Sequence, residues 1–239
     1  MTDTTLSPDT ALSADADHFV GETAADAAHA FRALRDAGTL SANGTIALVE
    51  RIPGHDAYVF VADPGPWADD PRVVPSVVTF DGEVRSGPAV GRGFGFEAVL
   101  RRHHDITTVV HVHTPYLGAW SQTHRSLPIR YVPVQRWTLA SEIPVYVDRR
   151  QSQVDAILKL LDADADTPAI LEANGGATVW GRAGLLRTVE FVQLLEEGAQ
   201  FQILAEALGG SQPFGPGVLL QQWRMSGLEA EARERGLLP

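Results

Sequence analysis

Cysteine is missing from this 239-residue chain. Its absence excludes disulfides, thiolate nucleophiles and cysteine-ligated zinc or iron–sulfur sites. A metal, if one is bound, must be held by histidine, carboxylate, carbonyl or water. No apolar run approaches the roughly 20 residues of a membrane span, so no membrane partner is expected. Basic charge is in short supply too: 19 Lys and Arg stand against 30 Asp and Glu, a net charge of −11. Nucleic acid and anionic membrane surfaces want a basic face, so this balance argues against both. The stretch from Met1 to Asp17 has neither the basic nor the apolar region of a signal peptide. The expected compartment is the cytoplasm.

Apolar residues make up 44% and charged residues 21% of the chain, the balance of a globular protein with a substantial core. Residues 1–19 lack hydrophobic periodicity and read as a flexible leader. Residues 20–239 read as one domain. Apolar residues recur at helical spacing over 22–37, 96–104, 149–161 and 188–208, the last with Phe191, Leu194, Leu195, Gly198, Phe201, Leu204 and Ala205 on its stripe. A short helix is expected around 218–223. Residues 45–50 and 57–61 form one expected hairpin, and 169–173 and 177–180 form another around Asn174-Gly175-Gly176. A shorter strand is expected at 77–80, and 127–134 and 143–147 are two short apolar runs. Strands outnumber what a simple βαβ order would give, so the expected architecture is an α/β domain with a mostly antiparallel sheet flanked by helices.

The chemistry concentrates in one stretch. The β-branched run 106–112 delivers His111 and His113, and Thr114 and Pro115 then open a helix as its cap and first residue. In an extended strand residues two apart share a face, so both imidazoles converge where the strand ends. Neutral imidazole nitrogens at that spacing suit a divalent metal. Two polar residues at a strand end can equally do no more than meet water or backbone.

Several segments resemble the class II aldolase/adducin family. They are Thr108-Val109-Val110-His111-Val112-His113-Thr114-Pro115-Tyr116, the late hairpin Ala169 to Gly181, and Leu194-Leu195-Glu196-Glu197-Gly198-Ala199. The Asn43-Gly44-Thr45 turn and the early helix fit in order. The resemblance covers roughly residues 22–210 and implies an α/β/α three-layer fold around a mostly antiparallel central sheet. It also implies a homo-oligomer, tetramer or dimer, with active sites near subunit contacts. The cofactor implied is a divalent metal ion (zinc, manganese or iron(II)) on His111 and His113.

The departures carry as much information. Metal-dependent members place a third histidine where this chain has Gly175. Aldolase members carry a catalytic glutamate in the neighbourhood where this chain has Gly91-Arg92-Gly93, and the phosphate-holding serines are missing. Glu172 is the first choice for a third ligand: it lies on the opposite face from position 175 in a regular strand, and a bulge at Gly175-Gly176 would change that. His124, eleven residues after His113, would lie roughly 15 Å away along a helix. Arg92 or Arg130 would bind a substrate carboxylate by a bidentate pair. Tyr131, near the place of a family catalytic tyrosine, would donate a proton. Tyr116 and Asn174 would line the mouth of the site.

These features point to a metal-dependent lyase that cleaves or forms a C–C bond in a small non-phosphorylated carbonyl or 2-oxo acid, in secondary metabolism. Two other readings stay open: a non-heme iron oxygenase acting on an aromatic or arylpyruvate-type substrate, and a non-catalytic binding or scaffold protein like the adducin branch.

Overall fold

The computed structural model describes residues 13–90 and 95–238. In chain order the elements are α1 (Ala14–Asp36), β1 (Ile46–Arg51), β2 (Ala57–Ala62), β3 (Ser76–Thr79), β4 (Val84–Ser86) and α2 (Glu97–Arg102). The middle of the chain supplies β5 (Thr108–Val112), α3 (Pro115–Ser121), β6 (Leu127–Pro128), α4 (Val132–Gln135), β7 (Glu142–Ile143) and β8 (Val145–Tyr146). It finishes with α5 (Gln153–Ala163), β9 (Ala169–Glu172), β10 (Ala177–Gly181), α6 (Leu185–Glu206), α7 (Val218–Ser226) and α8 (Glu229–Glu234).

Eight strands form one sheet in the order β4-β3-β2-β1-β5-β10-β9-β8. Pairing is antiparallel except between β8 and β9. The two expected hairpins are β1–β2 and β9–β10, and β5 is inserted between them. A strand with neighbours on both sides and helices on both faces is covered along its whole length, and all five residues of β5 are buried, Thr108 and His111 among them. On one face Leu48, Val110, Val112, Leu171 and Val179 pack with Phe31 and Leu34 of α1 and with Val192 and Leu195 of α6. On the other, Val49, Val109, Ile170 and Trp180 pack with Val99 and Leu100 of α2 and Ile157 and Leu161 of α5. The result is the expected three-layer α/β/α arrangement.

Two local expectations are corrected, and one apolar run is assigned its structure. Helix α1 begins at Ala14, inside the segment read as a flexible leader, because Ser13 caps it by accepting from Ala16 N at 3.2 Å, and Asp15 and Asp17 lie in its first turn. The run 127–134 is a two-residue strand followed by α4, since Pro133 sits in the helix's first turn and removes a ladder donor. In α6 the inward stripe is rotated from the expected one: Glu196 and Gln202 are buried, whereas Phe201 and Leu204 stay 47% and 54% exposed. Glu196 turns inward because it caps α3, accepting from Thr114 Oγ1 at 2.6 Å, Tyr116 N at 2.7 Å and Leu117 N at 2.8 Å.

Glu50 is buried on β1, with Thr108 of β5 directly opposite it in register. Burial drives its pKa up to about 8, against the hydrogen bond from the Thr108 hydroxyl. Between pH 4.5 and about 8 the folded chain therefore keeps a proton that the unfolded chain has lost. This stability is complete below pH 4.5 and disappears as pH rises through 8. Glu50→Gln should remove the dependence and raise stability at pH 8 by on the order of 3 to 5 kcal/mol. Parallel urea titrations of both proteins at pH 5 and pH 8 measure it, and equal pH dependence would refute it.

Candidate active site at the end of the central strand

The register of β5 with β10 places His111 directly opposite Thr178. Strand alternation then puts Val109, His111, Thr178, Ile170 and Glu172 on the same face of the sheet, the one covered by α2 and α5. Glu172 Oε1 lies 2.9 Å from His111 Nδ1, and Thr178 Oγ1 lies 3.2 Å from the same nitrogen. Gln153, the first residue of α5, donates from Nε2 to Glu172 Oε1 at 2.5 Å and to Thr178 Oγ1 at 2.7 Å. Its helix is capped by Ser152, whose hydroxyl accepts from Asp155 N at 3.0 Å. The amide is thereby set by backbone that is itself held in place.

Burial acts to raise the Glu172 pKa, but the His111 hydrogen bond and charge, the Arg149 guanidinium and the Gln153 amide outweigh it and hold the carboxyl below its ordinary value. An ionised carboxylate at Nδ1 keeps the proton on that nitrogen and leaves Nε2 as the basic one. His113, half-buried, lies one residue past the strand with its ring centroid 5.2 Å from that of His111, edge to face. Burial first, then the charges of His111 and Arg149, lower its pKa against the pull of Glu172. The two imidazoles thus meet edge to face at the end of the strand.

The turn of the β9–β10 hairpin closes the other side. Gly176 permits it: a Cβ there would come 2.2 Å from Val112 O and 2.6 Å from His113 Cδ2. Arg149, in the segment before α5, reaches the turn by donating from Nη2 to Ala173 O at 3.0 Å, and the same nitrogen is 3.8 Å from Glu172 Oε2. Asn174 adopts φ +57° and is held from α3's end, donating Nδ2 to Gln122 Oε1 at 2.7 Å and meeting His124 Nε2 through Oδ1 at 2.8 Å. His124 thus returns to the hairpin turn rather than trailing away along a helix.

The other expected site residues go elsewhere. Tyr131 packs with the core on the opposite face of the sheet, donates its hydroxyl to Glu197 Oε2 at 2.7 Å and meets the Phe201 ring edge-on at 5.1 Å. The Glu197 hydrogen bond, with burial, pushes its pKa up to about 12. Tyr116 also faces α6, accepting from Gln200 Nε2 at 3.1 Å. Arg130 is exposed. Arg92 lies outside the described residues. Thr178, Gln153 and Arg149 were not singled out from sequence: Thr178 becomes visible once β5 and β10 are paired in register, but nothing local marks Gln153 or Arg149.

These residues do not add up to a protein-held divalent-metal site. Glu172 is brought to His111, but as the acceptor at its Nδ1 and at the Gln153 amide, and its second oxygen faces a guanidinium rather than an open position. Among the described residues no group of three or more His, Cys, Asp and Glu side chains is placed to hold a metal. Of the residues expected as ligands, the structure brings together two imidazoles with a hydrogen-bonded carboxylate behind one of them.

Two cavities border the central strands, and neither is lined by His111 or His113. A cleft of about 540 Å³ lies on the same face, lined by Val49, Tyr58, Phe60, Phe96 and Val154, and reaches Gln153. Another of about 420 Å³ lies at the opposite end of β10, beside Gly181 and Thr188. The second contains Trp137 and Trp180 but none of the histidines.

A three-layer fold with a histidine pair at the outlet of its central strand defines a class of aldolase-like α/β/α proteins. The model of the class II aldolase and adducin N-terminal domain matches residues 68–203, and the chain belongs to that family. Among solved structures it is similar to an L-fuculose 1-phosphate aldolase from Glaciozyma antarctica PI12, at 18% identity and TM-score 0.66 over 93% of this chain and 90% of that one. A second L-fuculose 1-phosphate aldolase matches at 15% identity and TM-score 0.64 over 92% and 99%. YgbL from Klebsiella pneumoniae, of the aldolase/epimerase/decarboxylase type, matches at 23% identity and TM-score 0.64 over 85% and 98%. No curated protein sequence matches. These identities establish the fold, and the family supports an aldolase-like lyase in general terms.

Gly176→Ala should force the hairpin turn off Val112 and His113 and cost about 1–3 kcal/mol. Gly175→Ala should cost less, because its Cβ would meet the end of the Arg149 side chain at 3.2 Å. Chemical denaturation of both variants measures the order, and a reversed ranking would contradict the turn geometry.

Proposed function

We propose that the chain is a carbon–carbon lyase of aldolase or decarboxylase type, acting on a small non-phosphorylated carbonyl acid with an apolar or aromatic body. The observation that carries this reading is the His111–Glu172 pair, with Nδ1 and Oε1 2.9 Å apart, beside half-buried His113 at the end of β5. A carboxylate behind an imidazole stabilises the imidazolium and orients it, as proton transfer at carbon requires. For a β-hydroxy carbonyl substrate, an imidazole nitrogen takes the hydroxyl proton. The C–C bond breaks as that carbon becomes a carbonyl, the electron pair passes to the other fragment as an enolate, and the imidazolium returns the proton to it. We assign the apolar or aromatic body to the cleft on the same face, which includes Gln153 but neither histidine, and place the reaction in secondary metabolism. Asn174 at the turn is the polar group proposed to meet the substrate's outer end.

His111→Ala and His113→Ala should each lower turnover by at least about 10²-fold without unfolding the chain. Glu172→Gln should lower kcat more than it raises KM. Release of 2-oxo acid from a panel of 4-hydroxy-2-oxo acids, followed without oxygen, is the assay. Turnover that persists in both histidine variants would reject the reading, and strict dependence on iron(II) and oxygen would transfer the site to oxygenase chemistry.

The proposal includes a homo-oligomer. Phe201 and Leu204 in the second half of α6 and Leu208 just past its end are 47%, 54% and 88% exposed. A second copy against this face would bring Tyr131, which touches Phe201, to a subunit contact where it could serve as proton donor. Leu204→Glu should dissociate the assembly in light scattering, and an unchanged mass would reject this contact.

A further inference from the structure

We propose that the Arg149 guanidinium is a built-in cation at the end of β5, and that it makes the site a receptor for a substrate carboxylate in place of a divalent metal. The inference deepens the reading above, on which it depends for the carbonyl chemistry but not for binding of the anion.

Gly175 is the first support. Its φ lies outside the left-handed region, so its backbone does not require glycine. What a side chain would meet there is Arg149 Nη2, 3.2 Å from an ideal Cβ, with Glu172 Cβ at 3.3 Å and Glu172 O at 3.4 Å. A side chain grown from this turn and the guanidinium would compete for the same space. The bare glycine leaves that space to the guanidinium.

The second support is how Arg149 is held. Nη2 donates to Ala173 O at 3.0 Å, in the segment that joins β9 to the turn. That anchor uses one of five N–H donors and leaves the rest of the planar fork for a ligand. The alternative is that Arg149 merely neutralises Glu172. The approach to Glu172 Oε2 is 3.8 Å, near the outer limit for an ion pair. The Glu172 side chain is 9% exposed but that of the arginine is 57% exposed, so the guanidinium keeps an outer face open to a ligand. Glu172 is meanwhile satisfied by His111 and Gln153 through its other oxygen. A cation at this distance would repel a divalent metal ion drawn to Glu172. It suits a carboxylate, whose two oxygens match the guanidinium fork.

Calorimetric titration of the full chain tests this with pyruvate, inorganic phosphate and manganese(II) as separate probes. Pyruvate should bind the wild type and more tightly than phosphate does, and Arg149→Met should weaken it by at least tenfold, with Arg149→Lys intermediate. Circular dichroism melts should stay unchanged, as expected for a half-exposed side chain. Manganese should show no stoichiometric binding to wild type, and the double variant Arg149→Ala, Gly175→His should gain one equivalent. Pyruvate affinity that is undetectable, is unaltered in Arg149→Met, or is no better than that of phosphate would overturn the proposal. So would one equivalent of manganese on wild type held as tightly as on the double variant. Because His113→Ala should keep pyruvate binding while losing turnover, failure of the lyase reading and failure of the anion site are separately visible.

Discussion

The antiparallel pairing of β5 with β10 decides what surrounds the histidines. It sets His111 opposite Thr178, and the β9–β10 hairpin then carries Glu172 back to within 2.9 Å of the imidazole. A slip of one residue in either pairing would turn Glu172 or His111 to the other face, into the layer of α1 and α6. Register is held by burial on both sides, since Val110, Val112 and Val179 fill one core while Val109, Ile170 and Trp180 fill the other. The polar cluster is therefore positioned by apolar packing, and its own hydrogen bonds refine it.

Rigidity at the outlet has a similar origin. Helix α3 starts where it does because buried Glu196 accepts from the Thr114 hydroxyl and two backbone amides, which ties the residue after His113 to α6. On the far side Ser121 donates to Gly118 O at 2.7 Å, and Gln122 and His124 hold Asn174 at the hairpin turn. The histidine pair thus sits between a capped helix and a braced turn.

Charge around the pair departs from what a bare histidine motif implies. The carboxylate of Glu172 is backed by an amide, a hydroxyl and an imidazole, and a guanidinium lies at its outer oxygen. The family relationship accounts for the frame, while Gly175 leaves the turn without a side chain and Arg149 brings a guanidinium beside it. Substrate chemistry is carried by such local groups rather than by the fold.

Much of this was legible in the chain itself. The run from Val109 to His113 announced a buried strand ending in two same-face imidazoles, and the alternation around Asn174-Gly175-Gly176 announced its partner hairpin. These are local properties, set by side-chain period and turn chemistry. Helix starts were less legible: Ser13 extends α1 into a segment with no apolar stripe, because a cap acts through a hydrogen bond rather than through periodicity. Phe201 and Leu204 read as core positions, yet they face outward because Glu196 and Gln202 take the inward side of α6. Only the tertiary structure could bring Arg149, Gln153, Glu172 and Thr178 to His111. They come from separate elements, and which of them meet depends on strand register and helix docking, which no single stretch of sequence contains.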